Sequence, residues 1–234
     1  MNKLRLIYRI LYKALGPQHW WPGDTPLEVA VGAILTQNTN WGNVEKAITH
    51  LKAAHVLSAR KMHEMPVNTL AAFIRPAGYF NIKAKRLKSF MQFFCEQYGG
   101  SMKRMGKEDA AVLREQLLSV HGIGPETADS ILLYALEKPV FVIDAYTKRI
   151  LSRHGIIGHD EPYSHFQELF HLSLKRDVRL YNEYHALFVA TGKFFCKPNP
   201  LCAECPLHPV DAQKTTLHKS SRSSRGNRKT LRVV

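Results

Sequence analysis

The sequence predicts an all-α fold, on three observations. Glycine and proline separate most of the periodic stretches, as Gly16-Pro17 does after the first of them. Sustained alternation of apolar and polar residues is absent from the sequence, so we expect no substantial sheet. Apolar residues recur at the spacing of a helix, beginning with Leu4, Ile7, Ile10, Leu11 and Leu15.

The helices are expected in a continuous series along the chain. A loop of residues 18–25 leads to Pro26 and a second helix, and a polar break at residues 37–40 precedes a third helix from Trp41 to about residue 54. Further helices are predicted near residues 57–65, 67–75, 83–98, 108–119, 125–136, 145–154, 162–174 and 180–192.

Composition limits the kind of protein. A chain of 234 residues with 45% hydrophobic residues can bury a sizeable core, as one domain or as two closely packed lobes. The formal net charge of +14 fits a polyanionic partner. Residues 211–234 carry seven Lys or Arg and one acid with little to bury, so they are predicted to form a disordered basic tail. That tail is either a non-specific DNA-contacting arm or a solvated end.

The sequence also bears on location. No apolar run reaches the roughly 18 residues of a membrane span. The polar, interrupted start is unlike a secretory signal, so we expect a cytoplasmic protein without membrane contact. In that setting four cysteines favour metal binding or free thiols over disulfides.

The stretch Leu118–Ala128 carries the strongest functional pattern. It predicts two helices joined by a tight hairpin in which Gly122 and Gly124 flank Ile123. We expect both glycines to permit positive φ and close approach of the main chain to a ligand. Pro125 suits the first position of the second helix. The exposed N–H groups of such a hairpin and helix start are suited to binding a phosphate.

Asp144 follows this stretch sixteen residues after Ala128, where an apolar run enters a helix. Each half of the pattern has a structural alternative, because many helix corners use Gly-x-Gly and Asp144 could be only an N-cap. Together, in this order and spaced by one helix, they resemble the helix-hairpin-helix and Gly/Pro–Asp pattern of the endonuclease III superfamily of DNA base-excision glycosylases.

The resemblance covers about residues 20–206 and implies a fold of two helical lobes with a DNA-binding cleft. One lobe would span residues 24–136, and the other would combine residues 1–23 with 137–210. It further implies a monomeric enzyme acting on damaged double-stranded DNA, with Gly122, Ile123, Gly124, Glu126 and Thr127 contacting that DNA.

The chemistry of such an enzyme places demands on particular residues. Cleaving an N-glycosidic bond builds positive charge on the sugar, which a carboxylate can stabilise, and Asp144 matches the family's catalytic aspartate. The base must first leave the duplex. Gln37 matches the polar residue that family members insert into the vacated stack, although it could instead cap the end of a helix.

Position 126 bears on the type of reaction. Bifunctional members of the family place a lysine there, whose amine attacks the sugar and forms a Schiff base. This chain has Glu126, which cannot form an imine, and the nearest lysines, Lys138 and Lys148, do not match the motif. The sequence therefore predicts a monofunctional glycosylase with water as nucleophile, unless a lysine from elsewhere in the fold takes over.

The tryptophans at positions 20, 21 and 41 form the third pattern that bears on function. Aromatic faces bind positively charged bases by stacking and cation–π attraction, so these side chains could line a base pocket. Alternatively, they could pack in the core or between the lobes. Trp20-Trp21-Pro22 and Trp41, together with Leu35-Thr-Gln-Asn-Thr39, resemble the 3-methyladenine glycosylase branch of the superfamily, which implies a base pocket formed by Trp20, Trp21, Pro22, Gln37 and Trp41.

Cys196, Cys202 and Cys205 resemble the C-terminal iron–sulfur loop of endonuclease III, in the cysteine-rich loop 196–205. A [4Fe-4S] cluster usually needs four thiolates, whereas this chain has Asp211 near the position of the family's fourth cysteine. His208 is a candidate fourth ligand. A cluster, a zinc ion and a loop without metal all stay open.

These patterns together predict a monofunctional base-excision-repair glycosylase for alkylated purines such as 3-methyladenine. The first alternative is an endonuclease III-like glycosylase and lyase for oxidised pyrimidines, against which Glu126 argues. The second is a DNA-binding module without catalysis, against which Asp144 argues.

Overall fold

The computed structural model describes residues 2–18, 20 and 23–208 of the chain, and over these ranges it is helical with no strand. The predictions for Trp21, Pro22 and the tail 211–234 therefore lie outside the described residues. The helices are α1 Lys3–Leu15, α2 Pro26–Leu35, α3 Trp41–Ala53, α4 Ala59–Glu64, α5 Val67–Phe73, α6 Phe80–Tyr98, α7 Met102–Met105, α8 Ala110–Ser119, α9 Pro125–Ser130, α10 Ala145–Arg153, α11 Tyr163–Ser173 and α12 Val178–Phe194.

The all-α prediction is confirmed, and most helix ends lie within three residues of the predicted ones. Two local features differ. The short helix α7 was not predicted from the sequence, and the helix predicted over 125–136 changes at Ile131 into a wider π-helical turn, Ile131–Ala135. Short 3-10 turns occur at Arg75–Ala77 and Cys202–Glu204.

The described residues fall into two compact units. The first, here called the hairpin unit, comprises residues 23–140 and contains α2 to α9. The second, here called the aspartate unit, comprises residues 2–18, 20 and 141–208 and contains α1 and α10 to α12. The division into lobes of 24–136 and of 1–23 with 137–210 stays a prediction.

In the hairpin unit, α2 lies at the centre, because its residues are apolar on nearly every side and most are buried. Its neighbour α6 carries a buried lysine, Lys83. The Lys83 amine donates to the carbonyl oxygens of Leu35, at 2.8 Å, and Ala77, at 2.7 Å. A buried amine requires such acceptors, so Lys83 ties the end of α2 to the turn that precedes α6.

In the aspartate unit, α1 presents a stripe of buried residues at helical spacing, beginning with Leu4 and Ile7. The Tyr184 hydroxyl of α12 donates to the Leu4 carbonyl at 2.8 Å, which joins the two helices. The core between α10, α11 and α12 is aromatic and fully buried, and it comprises Phe141, Phe170, Tyr181, Tyr184 and Phe188. None of the described helices has the length and apolarity needed to cross a lipid bilayer.

Candidate active site

The predicted hairpin lies between α8, which ends at Ser119, and α9, which begins at Pro125. Gly122 has φ of +84°, as expected. The expectation of positive φ at Gly124 is wrong, since its φ is −94° and its ψ is 177°. Gly124 is the N-cap residue of α9, and that position takes an extended backbone.

The two glycines also differ in their surroundings. A Cβ added at Gly122 would overlap the Cγ and Cδ atoms of Arg86 from α6. A Cβ added at Gly124 would have nothing within 4 Å. Gly122 is therefore required by packing and by φ, whereas Gly124 borders open space that a ligand can enter.

Gln37 binds this hairpin with both ends of its amide. Its Nε2 atom donates to the Gly122 carbonyl oxygen at 3.0 Å and to the Thr127 hydroxyl at 2.9 Å. Its Oε1 atom accepts a hydrogen bond from Arg86 Nη1. Gln37 thus links the end of α2, the hairpin and α6, and the end of α2 is capped instead by Thr36. Insertion of Gln37 into DNA, which stays a prediction, would require these bonds to be exchanged.

The remaining hairpin residues predicted to contact DNA have different environments. Ile123 and Thr127 are buried, at 5% and 6% exposure, so they hold the hairpin in place. Glu126 is exposed in the first turn of α9. A carboxylate there is favoured by the helix dipole, although it repels an approaching phosphate.

Lys138 and Lys148, the lysines nearest to position 126 in the sequence, are engaged in the structure, and so is Lys83, whose amine has a low pKa. Burial, aided by the charge of Arg86, lowers the pKa of Lys83 to about 8, but its amine lies buried against two carbonyl oxygens. Lys138 donates to the carbonyl oxygens of Gly106 and Glu108. Lys148 lies 5.2 Å from the centre of the Phe166 ring. None of these contacts favours attack on a sugar.

Asp144 is the N-cap residue of α10, and its side chain is buried. Its Oδ1 atom accepts a hydrogen bond from the Thr147 amide at 2.7 Å. Its Oδ2 atom lies 3.5 Å from Nε2 of His185, a buried residue of α12. Asp144 can therefore serve both as the N-cap of α10 and as a catalytic carboxylate, because Oδ1 accepts the capping hydrogen bond while Oδ2 does not take part in it.

The charge state of Asp144 depends on its surroundings. Burial acts to raise the pKa of Asp144, but the charge and contact of His185 and the hydrogen bonds of Thr147 outweigh it, so the pKa lies below its usual value. Asp144 is consequently ionised at neutral pH. An ionised carboxylate is the form that stabilises a cationic sugar.

A polar stripe of α11 holds the segment that leads into Asp144. Tyr163, Gln167 and His171 are spaced by four residues and so share one helix face. The Phe141 amide donates to His171 Nε2 at 3.1 Å, and Gln167 Nε2 donates to the Phe141 carbonyl at 2.7 Å. The Ile143 amide donates to the Tyr163 hydroxyl at 3.2 Å. These side chains supply bonds that a neighbouring strand would otherwise provide.

Several residues of these two sites were missed from the sequence. Arg86 and His185 carry no local motif, because each contacts a partner far away along the chain. The α11 stripe had one usable signal, namely three polar residues at four-residue spacing beside the apolar positions Phe166 and Phe170. Tyr79, which precedes α6, was also not singled out from the sequence: it is 69% exposed and has φ of +44°, a backbone conformation that is strained for a residue with a side chain.

The two described tryptophans belong to different units. Trp41 is half-buried at the start of α3, and its ring packs 3.2 Å from where a Cβ on Gly32 would lie. Trp20 is half-buried in the aspartate unit. The Trp20 Nε1 atom is buried and has no hydrogen-bond acceptor among the described residues. Their place in a base pocket stays a prediction.

The described part of the cysteine-rich loop does not bring its candidate metal ligands together. Among residues 2–208 as described, no three His, Cys, Asp or Glu side chains are grouped to hold an ion. Cys196 is buried, whereas Cys202 and His208 are exposed and Cys205 is intermediate. The described donors therefore do not fit a [4Fe-4S] cluster or a zinc ion.

Two arginines of α10 hold this loop instead. Arg149 donates to the Cys196 carbonyl at 2.6 Å and to the Gly192 carbonyl at 3.2 Å. Arg153 donates to the Lys197 carbonyl at 2.6 Å, and its Nη1 lies 3.4 Å from Cys196 Sγ. It also donates to the Pro198 carbonyl at 3.0 Å. The start of the loop is thus fixed by hydrogen bonds from the protein itself.

Comparison with known proteins identifies the family. Residues 31–176 match the model of the HhH-GPD superfamily of base excision DNA repair proteins. A Methanocaldococcus jannaschii protein, named as a candidate DNA repair glycosylase, is 49% identical over 212 residues, which are 88% of this chain and 96% of that protein. Endonuclease III of Thermotoga maritima is 29% identical over 181 residues, or 77% of this chain and 79% of that enzyme.

Solved structures agree with this assignment. The Helicobacter pylori 3-methyladenine DNA glycosylase bound to 1,N6-ethenoadenine has a TM-score of 0.71 and 28% identity, covering 82% of this chain and 98% of its own. A trapped endonuclease III–DNA covalent intermediate has a TM-score of 0.77 at 19% identity, covering 91% of this chain and 96% of its own, and shows the shared fold. The chain therefore belongs to the HhH-GPD superfamily of base excision DNA repair proteins, and it is a DNA glycosylase.

Proposed function

We propose that this glycosylase is monofunctional and removes alkylated purines such as 3-methyladenine from double-stranded DNA. Asp144 is the catalytic carboxylate and water is the nucleophile. The hairpin formed by residues 120–124 and the first turn of α9 bind the DNA backbone, while Trp20, Trp21, Pro22 and Trp41 contribute to the base pocket.

The state of Asp144 is the observation that carries the proposal. Its Oδ1 atom is fixed by the Thr147 amide, and its low pKa keeps the carboxylate ionised although it is buried. A fixed negative charge in a site of low dielectric stabilises a cation far more than the same charge in water. As the base departs, the negative charge of Asp144 stabilises the positively charged sugar, and the carboxylate orients the attacking water.

Glu126 supports the monofunctional assignment. It stands in the first turn of α9, where a lysine would be needed for a Schiff base. The low-pKa amine of Lys83 would be chemically suited to such attack, but it is bound within the core of the hairpin unit. Hydrolysis by water is the reaction that the described side chains favour.

The substrate assignment is supported by tryptophan chemistry and by one relative. A base with a formal positive charge gains from stacking on indole faces more than a neutral base does. The Helicobacter pylori enzyme with 28% identity is a 3-methyladenine glycosylase. Tyr79 and Gln37 of the hairpin unit are the candidates for filling the space that the flipped base leaves, because Tyr79 is an exposed aromatic and Gln37 borders the hairpin.

The described part of the cysteine-rich loop bears on whether this protein binds a metal. We infer that it folds without a bound metal, because Arg149 and Arg153 already satisfy its backbone carbonyls and its donors are not grouped. No step of the proposed reaction uses a metal or a cluster.

An endonuclease III-like glycosylase and lyase for oxidised pyrimidines is the second candidate, favoured by the 29% identity to the Thermotoga maritima endonuclease III. The two are separated by incubating the protein with dimethyl sulfate-treated DNA and with a duplex containing one thymine glycol. Released bases are identified by chromatography, and strand breaks are measured with and without alkali.

We expect release of methylated purines and strand breaks that require alkali. Preferential release of thymine glycol with breaks formed without alkali would replace the proposed function by the second candidate. The Asp144→Asn protein serves as the control, because it separates excision by this site from contaminating activity.

A further inference from the structure

His185 is a buried titratable group that no step of the proposed reaction uses. It lies on α12 with 6% exposure, and its Nε2 atom is 3.5 Å from Asp144 Oδ2. The Phe141 ring stands edge-on to the imidazole, with 6.5 Å between ring centres. The Thr147 amide binds Oδ1 of Asp144, and the buried imidazole of His185 lies beside the other oxygen, Oδ2. His185 is therefore placed to hold Oδ2.

We infer that His185 is a positioning residue for Asp144: it fixes the Oδ2 side of the carboxylate and keeps the carboxylate ionised in its buried site. The inference rests on the proposed function, since it assigns His185 a role through the catalytic carboxylate. Its physical basis is that Thr147 of α10 alone holds the carboxylate less firmly than Thr147 together with a second contact, at Oδ2, from α12.

Few groups act electrostatically on the carboxylate of Asp144. Among the described residues, the charge that acts on Asp144 is that of His185, from α12, while Thr147 of α10 contributes its amide and hydroxyl dipoles. The groups of α11 that face this region, Tyr163 and His171, accept hydrogen bonds from backbone amides of the preceding segment. Removing His185 would therefore leave burial opposed only by Thr147, and the pKa of Asp144 would rise.

Loss of His185 is expected to move the pH profile of excision in one direction. Excision requires ionised Asp144, so the rate falls as pH drops through the pKa of that carboxyl. Without His185 this fall begins at a higher pH. A residue that only fills space would leave the midpoint of the acid limb unchanged, which makes the pH profile the informative measurement.

Two substitutions separate charge from shape. His185→Phe keeps a ring beside Phe141 and removes the polar contact, and His185→Gln keeps a polar group without the charge. Tyr184→Phe is the matched control, because it removes a buried hydroxyl from the neighbouring position of α12, where the bond goes to Leu4. Single-turnover rates are measured from pH 3 to 8, with a protein-free control for acid depurination, on whichever of the methylated DNA and the thymine glycol duplex the wild type cleaves.

We expect His185→Phe to slow excision roughly tenfold or more at neutral pH, with DNA affinity unchanged. His185→Gln should recover part of that rate, and both variants should move the acid limb to higher pH. Tyr184→Phe should lower stability and leave the limb in place. If the acid limb of His185→Gln coincides with that of the wild type while Asp144→Asn is inactive, this inference is wrong and the proposed function stands. If Asp144→Asn retains the wild-type rate, the catalytic assignment fails, and the role of His185 fails with it.

Discussion

The side chain of Arg86 crosses Gly122 at the place where a Cβ would stand, and the same guanidinium binds Gln37. Gly122 in turn accepts a hydrogen bond from Gln37 through its carbonyl oxygen. The bend of the hairpin is therefore fixed by a helix and a helix end that lie far from it in the sequence. Gly122 and Gly124 occupy equivalent-looking positions in the Gly-x-Gly motif, but only Gly122 is enclosed by Arg86.

Gly122→Ala should destabilise the protein by about 2 kcal/mol or more, because a side chain at positive φ is strained and must also displace Arg86. Gly124→Ala should leave stability nearly unchanged, since its Cβ meets nothing within 4 Å, but it should weaken DNA binding by narrowing the space for a phosphate. Denaturant unfolding and binding to an undamaged duplex measure the two effects. Equal stability losses at both positions would contradict this difference.

Asp144→Asn should reduce the single-turnover excision rate by roughly a hundredfold or more, from the loss of about 3 kcal/mol of electrostatic stabilisation. Folding should be retained, because asparagine also accepts the N-cap hydrogen bond from Thr147. Binding to damaged DNA should stay within a few fold of the wild type. A variant that excises bases at the wild-type rate would show that the carboxylate charge is not catalytic.

Borohydride should not trap the wild-type protein covalently on damaged or abasic DNA, because no lysine occupies position 126 and Lys83 is bound by two carbonyl oxygens. Gel electrophoresis of the protein–DNA mixture after reduction provides the measurement. A known bifunctional glycosylase is the positive control. Should trapping occur, Lys83→Met would test the buried amine, and loss of trapping in that variant would assign the Schiff base to it.

Trp41→Ala should slow excision of methylated purines by about one to two powers of ten, because each stacking wall contributes roughly 1–3 kcal/mol to capture of a flipped base. Some stability should also be lost, since the ring packs against Gly32. Trp41→Phe separates the effects by keeping an aromatic face. Trp20→Ala should act similarly on excision. If both alanine variants fold and excise methylated purines at the wild-type rate, the tryptophans are not pocket walls.

Purified protein should contain neither iron nor zinc in stoichiometric amounts, measured after anaerobic purification. Arg149→Ala should lower stability by about 1–3 kcal/mol, because it leaves the partly buried carbonyl groups of Cys196 and Gly192 without this donor. Cys202→Ser, at an exposed thiol, should change little. Arg60→Ala removes an exposed arginine and is the control. One cluster per chain, lost in Cys202→Ser, would overturn the metal-free loop.

The sequence by itself determined the all-α fold, most helix limits, the hairpin and the position of Asp144 at the start of α10. These features depend on local causes, namely apolar periodicity, the restrictions of glycine and proline, and capping by nearby side chains. The family also followed from the sequence, because its pattern lies within 27 consecutive residues, from Leu118 to Asp144.

Only the tertiary structure decided what surrounds those residues. Gln37 meets its hairpin partners 85 and 90 positions away, and Arg149 meets the cysteine-rich loop 47 positions away. Gly124 was misjudged because a Gly-x-Gly motif does not state which glycine takes positive φ. His185 reaches Asp144 from another helix. Such contacts are selected by the packing of whole helices, since that packing brings distant side chains together. They keep Asp144 charged despite its burial, and they hold the Lys83 amine against two carbonyl oxygens.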